Sequence, residues 1–209
     1  MMAGYVLYGR SGSGSMVVEA AFAEAGLPYS WQLVEKGADG AFGADLLAVN
    51  PRLQVPALVL PDGSVVTESV AILLHLADAF PAAGLAPPPG SSARAQHDRW
   101  LTFAHANLYE GILRLFYSDR YVNHPEAALA VKVAARQYVL QHFQMYEAAL
   151  GSGPYHFGDK VQMLDLMIWM LASWVDQGPL AATCPKVMRQ CAAVAARPAL
   201  GPVLARNPD

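Results

Sequence analysis

The chain has 209 residues, of which 54% are hydrophobic and 15% charged, so it can bury a sizeable core and is not a disordered polyampholyte. Its formal net charge is −3 and its lysines and arginines form no cluster, which gives no support for nucleic acid binding. No run approaches the roughly 18 uncharged apolar residues of a membrane span, so we expect no membrane association.

Residues 1–80 alternate short apolar runs with helical patterns. In chain order, the predicted elements are a strand at 5–8, a helix at 15–25, a strand at 29–34, a helix at 42–49, strands at 57–60 and 64–66, and a helix at 68–78. Gly26 and Pro28 end the first helix, and the turn signal Pro-Asp-Gly at 61–63 predicts a hairpin. This order fits a thioredoxin-like α/β layer architecture.

Residues 81–92 (PAAGLAPPPGSS) form the clearest boundary, because Pro, Gly and Ser cannot continue a helix there. Beyond it the pattern is helical almost throughout. Helices are predicted at 94–121, 126–150, 163–176, 185–196 and 199–205, and the third is apolar on nearly all sides, as in the buried centre of a bundle. We therefore expect a thioredoxin-like domain at 1–80, a linker at 81–92 and an all-helical domain at 93–209.

The loop GRSGSGS at 9–15 joins the first strand to the first helix, where free N–H groups and the helix dipole favour an anion. A dinucleotide-binding fingerprint would require Gly at the position of Val17. A phosphate-binding loop would require Lys at the position of Met16. The loop also lacks the G-x-S-x-G order of a nucleophile elbow. A serine that donates a hydrogen bond to a ligand thiol fits best, because that bond favours the thiolate of a group with a free pKa of about 8.5.

A second candidate site combines the Val55–Pro56 bond with the helix start at Glu68 and Ser69. A ligand carboxylate can accept bonds from the Ser69 hydroxyl and backbone N–H, while Glu68 can pair with a ligand ammonium group. Taken alone, Thr67, Glu68 and Ser69 are explained as well by ordinary capping of the helix, with Thr67 as the N-cap. The sequence alone also favours a trans bond before Pro56.

Three motifs, NPRLQVPAL at 50–58, DGSVVTES at 62–69 and GDKVQMLD at 158–165, resemble those of the glutathione S-transferases, of a bacterial type with beta-like and zeta-like features. The resemblance covers nearly the whole chain and implies that glutathione is the co-substrate and that the protein is a homodimer. It also implies a cis Val55–Pro56 bond and a helix start in which Gln162 replaces the usual Ser/Thr cap while Asp165 is kept. The peptide-binding residues that it implies are Gln54, Val55, Pro56, Glu68 and Ser69.

The resemblance places the thiol-activating group in the first loop. A bacterial-type cysteine would align near Gly14, which is not a thiol, whereas the zeta-like serine falls at Ser13. Ser13 and Ser15 are therefore the expected catalytic residues, and Tyr8 and Ser11 stay open as alternatives.

The second substrate, a small hydrophobic electrophile, is expected between the domains against the helix at 94–121. Thr102, His105 and Tyr109 recur at helical spacing with Ala106 and Leu113, although packing of Tyr109 in the bundle explains that residue equally well. The implied activity is glutathione conjugation, typical of detoxification. A maleylacetoacetate-type isomerase, for which Arg10 is a possible carboxylate partner, and a noncatalytic binding or scaffold protein are the alternatives.

The cysteines and histidines give no sign of a metal site. Cys184 and Cys191 form neither a zinc pattern nor a CxxC pair, and the six histidines are scattered along the chain. Residues 1–10 lack the charged segment and apolar core of a secretory signal, so we expect a cytoplasmic protein.

Overall fold

The computed structural model describes residues 4–37 and 42–208, and residues 1–3, 38–41 and 209 lie outside the described part of the chain. The chain divides into two compact units, Met1–Ala86 together with Arg197–Asp209, and Pro87–Ala196. The division at 80 and 93 expected from the sequence stays a prediction. In the structure, however, Arg197–Asp209 belongs with the N-terminal unit rather than with the helical one.

The N-terminal unit contains a four-stranded sheet in the order β2-β1-β3-β4. The strands are β1 (Tyr5–Gly9), β2 (Tyr29–Leu33), β3 (Ala57–Val59) and β4 (Val65–Thr67). β1 pairs in parallel with β2, where Tyr5 lies opposite Tyr29, and antiparallel with β3, where Leu7 lies opposite Leu58. β3 and β4 form the predicted antiparallel hairpin. The thioredoxin-like fold class is confirmed.

Three helices complete this sheet layer: α1 (Ser15–Ala25), α2 (Ala44–Val49) and α3 (Ser69–Ala79). α1 packs on α3, and their facing apolar side chains enclose the core with those of β1 and β3. The fully buried residues of this core include Leu7, Val17, Phe22, Leu58, Ile72 and Leu73. α1 ends at Gly26, whose φ of +65° suits a residue without Cβ, as the Gly-Leu-Pro signal predicts.

The helical unit begins with one continuous run made of α4 (Ser92–Phe103), a π-helical segment (Ala104–Tyr109) and α5 (Glu110–Phe116). The remaining helices are α6 (Ala128–Ala149), α7 (Met163–Ser173), α8 (Gln177–Thr183) and α9 (Pro185–Ala195), and α10 (Gly201–Arg206) follows in the N-terminal unit. Short 3₁₀ turns lie at 81–83, 118–121, 125–127 and 198–200. The helix predicted at 94–121 therefore ends at Phe116 rather than at 121. The helix α8 was not predicted.

α7 is the buried centre of the helical unit, as its apolar composition predicts. Residues 163–172 are all buried, and α7 packs against α4 and α9. The Asp165 carboxylate accepts hydrogen bonds from the backbone N–H of Gln162 (2.7 Å) and of His156 (2.9 Å). The side-chain oxygen of Gln162 is buried and has no hydrogen-bond partner among the described residues. The Asp165 half of a capping box, in which the carboxylate accepts from the Gln162 N–H, is therefore present, as the resemblance implied.

No described helix combines the length and the apolar character needed to cross a membrane.

Candidate functional site

The loop between β1 and α1 brings two serine hydroxyls together. Ser13 Oγ lies 2.9 Å from Ser15 Oγ, and both hydroxyls lie within hydrogen-bond distance of the Arg10 carbonyl, at 2.6 Å and 3.0 Å. The Arg10 N–H also donates to Ser15 Oγ at 3.1 Å. The two predicted catalytic residues therefore form one hydrogen-bonded cluster at the N-terminus of α1.

The candidate hydroxyls differ in how much of each residue is exposed. Ser13 retains 8% of its surface, whereas Ser15 is fully buried. Ser11 is exposed and Tyr8 is half-buried. A ligand thiol can approach Ser13 from the surface, while Ser15 lies beneath it. The burial ranks Ser13 above Ser15 as a thiol contact and leaves the exposed Ser11 and the half-buried Tyr8 as alternatives.

The loop is anchored by contacts that the sequence did not predict. The Gly12 N–H donates to Asn207 Oδ1 at 2.9 Å, across 195 positions of the chain. Gly12 has a φ of +63°, a conformation that favours glycine. A Cβ at Gly9 would meet the Trp31 ring at 2.3 Å and Ser15 Cβ at 2.7 Å, so this position requires glycine for close packing.

The segment that precedes Val55 is shaped by Asn50, a buried residue that was not among the predicted site residues. Its amide nitrogen donates to the Gln54 carbonyl at 2.8 Å, and its oxygen accepts from the Arg52 N–H at 3.0 Å. The Val55–Pro56 bond is cis, as the family resemblance implied. β3 begins at Ala57, so Val55 precedes the strand ladder.

Glu68 occupies the N-cap position of α3 without capping it. Its φ is +66°, in the left-handed region that non-glycine residues rarely adopt, and its side chain makes no cap hydrogen bond. Its carboxylate instead pairs with Arg52, at 2.9 Å. The prediction that Thr67 caps this helix is wrong, because Thr67 is the last residue of β4 and α3 begins at Ser69.

Both members of the Arg52–Glu68 pair are well exposed, with 64% and 49% of their side chains accessible. Such pairs contribute at most about 1 kcal/mol to stability. A strained backbone beside a weakly stabilising ion pair is typical of a binding site rather than of a device that stabilises the fold. Ordinary helix capping is the simpler explanation for a Glu at this position, but the Glu68 side chain makes no cap hydrogen bond.

In the helical unit, two of the three predicted electrophile-site residues lie side by side. The rings of His105 and Tyr109 are 5.6 Å apart, and Tyr109 also packs edge-on against Trp174 at 5.5 Å. Thr102 is exposed on the same helical run. Trp174 is half-buried and touches Tyr109, so it joins this cluster. A π-helical segment carries His105 and Tyr109, and such segments are frequent at functional sites.

Charges near the first loop come from the buried Glu19 of α1 and from Arg206. The Glu19 carboxylate pairs with Arg206 Nη1 and accepts from Asn207 Nδ2 at 3.3 Å. Burial raises the pKa of Glu19, while the hydrogen bonds from Arg206 and Asn207 act in the opposite direction. Among residues 4–37 and 42–208, no group of three or more His, Cys, Asp or Glu side chains is placed to hold a metal ion.

The residues that sequence reasoning missed are Asn50, Arg52, Trp174 and Asn207. Asn50 and Arg52 belong to the motif NPRLQVPAL, so their position beside Gln54 and Val55 was a usable signal. The contact of Asn207 with Gly12 had no signal in the sequence, because it joins opposite ends of the chain.

Known proteins resemble this chain in sequence and in structure. Residues 15–79 match the family model described as glutathione S-transferase, N-terminal domain. The uncharacterized GST-like protein YncG of Escherichia coli K12 is 31% identical over 170 residues, 80% of each chain. A probable maleylacetoacetate isomerase of Caenorhabditis elegans is 31% identical over 163 residues, covering 77% of this chain and 73% of that protein. A glutathione transferase homologue from Sulfitobacter, solved with bound glutathione, is 26% identical and superposes with a TM-score of 0.87 over 98% of both chains. The chain belongs to the glutathione S-transferase family.

Proposed function

We propose that this protein binds glutathione in its N-terminal unit and activates the thiol for attack on a small hydrophobic electrophile. The observation that carries the proposal is the geometry of Glu68, whose side chain pairs with Arg52 instead of capping α3 while its φ is +66°. Ser69 is buried at the first position of α3, where helix N–H groups have no partner within the helix. An α-amino acid fits this pair, with its ammonium at Glu68 and its carboxylate at Ser69.

The peptide backbone of glutathione would lie along the segment of Gln54, Val55 and Pro56. Val55 precedes the strand ladder, so its backbone is placed to pair with an extended ligand. Asn50 holds this segment through the Gln54 carbonyl. The Sulfitobacter homologue, solved with bound glutathione, supports the choice of ligand.

Thiol activation is assigned to the Ser13–Ser15 cluster. The two serine hydroxyls have one proton each to donate, and three oxygens can accept: the Arg10 carbonyl oxygen and the two serine oxygens. When a thiolate arrives, Ser13 turns its proton toward sulfur, while Ser15 continues to satisfy the Arg10 carbonyl. Donation to the thiolate lowers the pKa of the bound thiol, and the N-terminus of α1 acts in the same direction. No covalent bond to the protein is needed.

The glutathione site is tested by Ser69→Ala and Glu68→Gln. Each variant removes one partner of a charged ligand group, so each should weaken glutathione binding by about 1–3 kcal/mol, or roughly tenfold to hundredfold. Titration calorimetry measures the change. Asp62→Asn, on the exposed hairpin turn, is a control that should keep the wild-type affinity. Affinities equal to wild type in both site variants would remove this assignment.

Isomerisation of an unsaturated diacid is the second candidate function, and the resemblance to the Caenorhabditis elegans protein favours it. Such an enzyme adds glutathione to a double bond and then eliminates it, so it uses the same thiol site. Arg10, half-buried in the loop, is the group that would hold a substrate carboxylate. Purified protein incubated with glutathione and a cis-diacid distinguishes the two functions, because only isomerisation returns the glutathione and a trans-diacid.

A further inference from the structure

The C-terminal end of the chain is built into the loop that carries the serine hydroxyls. The segment 198–206 packs on α1, and Asn207, which follows α10, is 7% exposed. Its side chain uses both of its ends. The oxygen accepts from the Gly12 N–H at 2.9 Å, and the nitrogen donates to the Val203 carbonyl at 2.9 Å and to Glu19 Oε1 at 3.3 Å.

Arg206, the preceding residue, holds the other side of the same loop. It pairs with the second Glu19 oxygen and donates to the Tyr29 hydroxyl at 3.0 Å. Its guanidinium also lies 4.8 Å from the centre of the Trp31 ring. That ring covers Gly9, where β1 passes into the loop. Arg206 thus reaches the beginning of the loop through Trp31, and Asn207 reaches its middle through Gly12.

We propose that Asn207 is a positioning residue for the thiol site, holding Gly12 so that the Ser13 hydroxyl is presented to the glutathione sulfur. Gly12 directly precedes Ser13, and its N–H donates to the side-chain amide oxygen of Asn207. Without this acceptor the Gly12 N–H loses its protein partner, and the loop is no longer held in this position. The proposal rests on the thiol site proposed above.

The chain offers a matched control in Arg197. This residue also ties the C-terminal segment to α1, through two hydrogen bonds of 2.6 Å to Glu24, but Glu24 lies at the far end of that helix from the loop. Arg197→Gln and Asn207→Ala should therefore both lower stability. Only the Asn207 variant should change the pKa of the thiol bound at the loop.

The experiment measures the thiolate absorbance of protein-bound glutathione against pH for wild type, Asn207→Ala, Asn207→Leu and Arg197→Gln. Asn207→Leu fills similar space without a hydrogen-bond acceptor, so it tests the proposal if the alanine variant does not fold. We expect both Asn207 variants to raise the pKa of the bound thiol by about one unit, a tenfold change, and Arg197→Gln to keep the wild-type value. Faster hydrogen exchange at the Gly12 amide should accompany the change.

Three other outcomes separate the two proposals. If wild type lowers the thiol pKa and the Asn207 variants do so equally, the positioning role is overturned and the thiol site stands. If Arg197→Gln raises the pKa as much as Asn207→Ala, the effect belongs to general docking of the C-terminal segment, and the specific role is overturned. If wild type binds no glutathione, both proposals fall. As a second readout, binding of S-methylglutathione, which has no thiol, should be unchanged by Asn207→Ala.

Discussion

Ser13 and Ser15 are chemically identical side chains with different surroundings. Ser15 accepts from the Arg10 N–H, reaches the Arg10 carbonyl and is fully buried, so its oxygen is committed to the loop. Ser13 shares the Arg10 carbonyl but keeps a small exposed surface. Ser15 therefore holds the loop together, and Ser13 is the residue that we propose meets the ligand.

Replacing each serine by alanine separates these roles. Ser13→Ala should raise the pKa of bound glutathione toward the free value of about 8.5, with little loss of stability. Ser15→Ala leaves the Arg10 N–H without its partner and should cost about 1–3 kcal/mol of unfolding free energy. Thiolate absorbance against pH and urea denaturation measure the two effects. A larger pKa change in Ser15→Ala than in Ser13→Ala would reverse the ranking.

Single residues also show where sequence reasoning reaches its limit. The proposed site residues Glu68 and Ser69 could be chosen from the motif. The backbone conformation of Glu68 could not be predicted, because no sequence pattern indicates a φ of +66° at a non-glycine residue. Leu53 likewise adopts a φ of +53°. In both cases the surrounding structure overrides the local preference of the residue.

Among the elements, α7 illustrates how a buried helix start couples ionisable groups. Burial raises the pKa of Asp165 to about 6 and lowers the pKa of His156 to about 4. His156 stacks on Tyr146, with ring centres 5.2 Å apart, and its backbone N–H donates to Asp165. Burial lowers the pKa of the neighbouring His97 as well.

These two shifts act on stability with opposite signs. The Asp165 pKa is above its unfolded value, so between about pH 4 and 6 the native state binds the extra proton and gains stability as the pH falls. The His156 pKa is below its unfolded value, so between about pH 6.5 and 4 the unfolded state binds the extra proton and the native state loses stability as the pH falls. In the wild-type protein, the effects of Asp165 and His156 on the free energy of unfolding therefore oppose each other over the same pH range.

Two variants separate the effect of Asp165 on stability from that of His156. Asp165→Asn should be destabilised by about 1–3 kcal/mol, because the buried Asp165 carboxylate accepts from the N–H groups of His156 and Gln162 and from Gln190 Nε2. This deficit should grow from pH 6.5 to pH 4. His156→Phe keeps a ring against Tyr146, and its deficit relative to wild type should shrink over the same range. Urea denaturation at several pH values measures both, and deficits that do not change with pH would contradict the assignment.

The bounds of helices were predicted well where the hydrophobic pattern and the helix-ending residues Gly and Pro agree. α1 has the predicted bounds because Gly26 and Pro28 follow it, and α7 was identified from its continuous apolar surface. α8 was missed because it contains Gly178 and Pro179, although Pro179 lies in the first turn, where proline is tolerated. The π-helical segment at 104–109 has no sequence pattern of its own, so the positions of His105 and Tyr109 on the helix could not be fixed beforehand.

For the molecule as a whole, the proposed chemistry is divided between two units. The proposed glutathione site draws on the N-terminal unit, whereas Thr102, His105 and Tyr109 belong to the helical unit. That these three residues line the electrophile site, and that the protein is a homodimer, stay predictions from the family resemblance. Glutathione binding and turnover should therefore respond to different substitutions.

Tyr109→Phe tests this division. The variant keeps the ring against Trp174 and removes the hydroxyl that would polarise an electrophile, so kcat should fall by about tenfold to a hundredfold while the Kd for glutathione is unchanged. Steady-state kinetics with 1-chloro-2,4-dinitrobenzene, together with calorimetry, give the two quantities. An unchanged kcat would assign Tyr109 to packing alone.

The central claim is that this protein binds glutathione and activates its thiol. The most direct measurement is a pH titration of the thiolate absorbance of glutathione bound to the wild-type protein, with saturation established by calorimetry. We predict micromolar to low-millimolar binding and a thiol pKa at least one unit below the free value of about 8.5. Binding with an unshifted pKa would indicate a glutathione-binding protein without activation, and no binding would contradict the site itself.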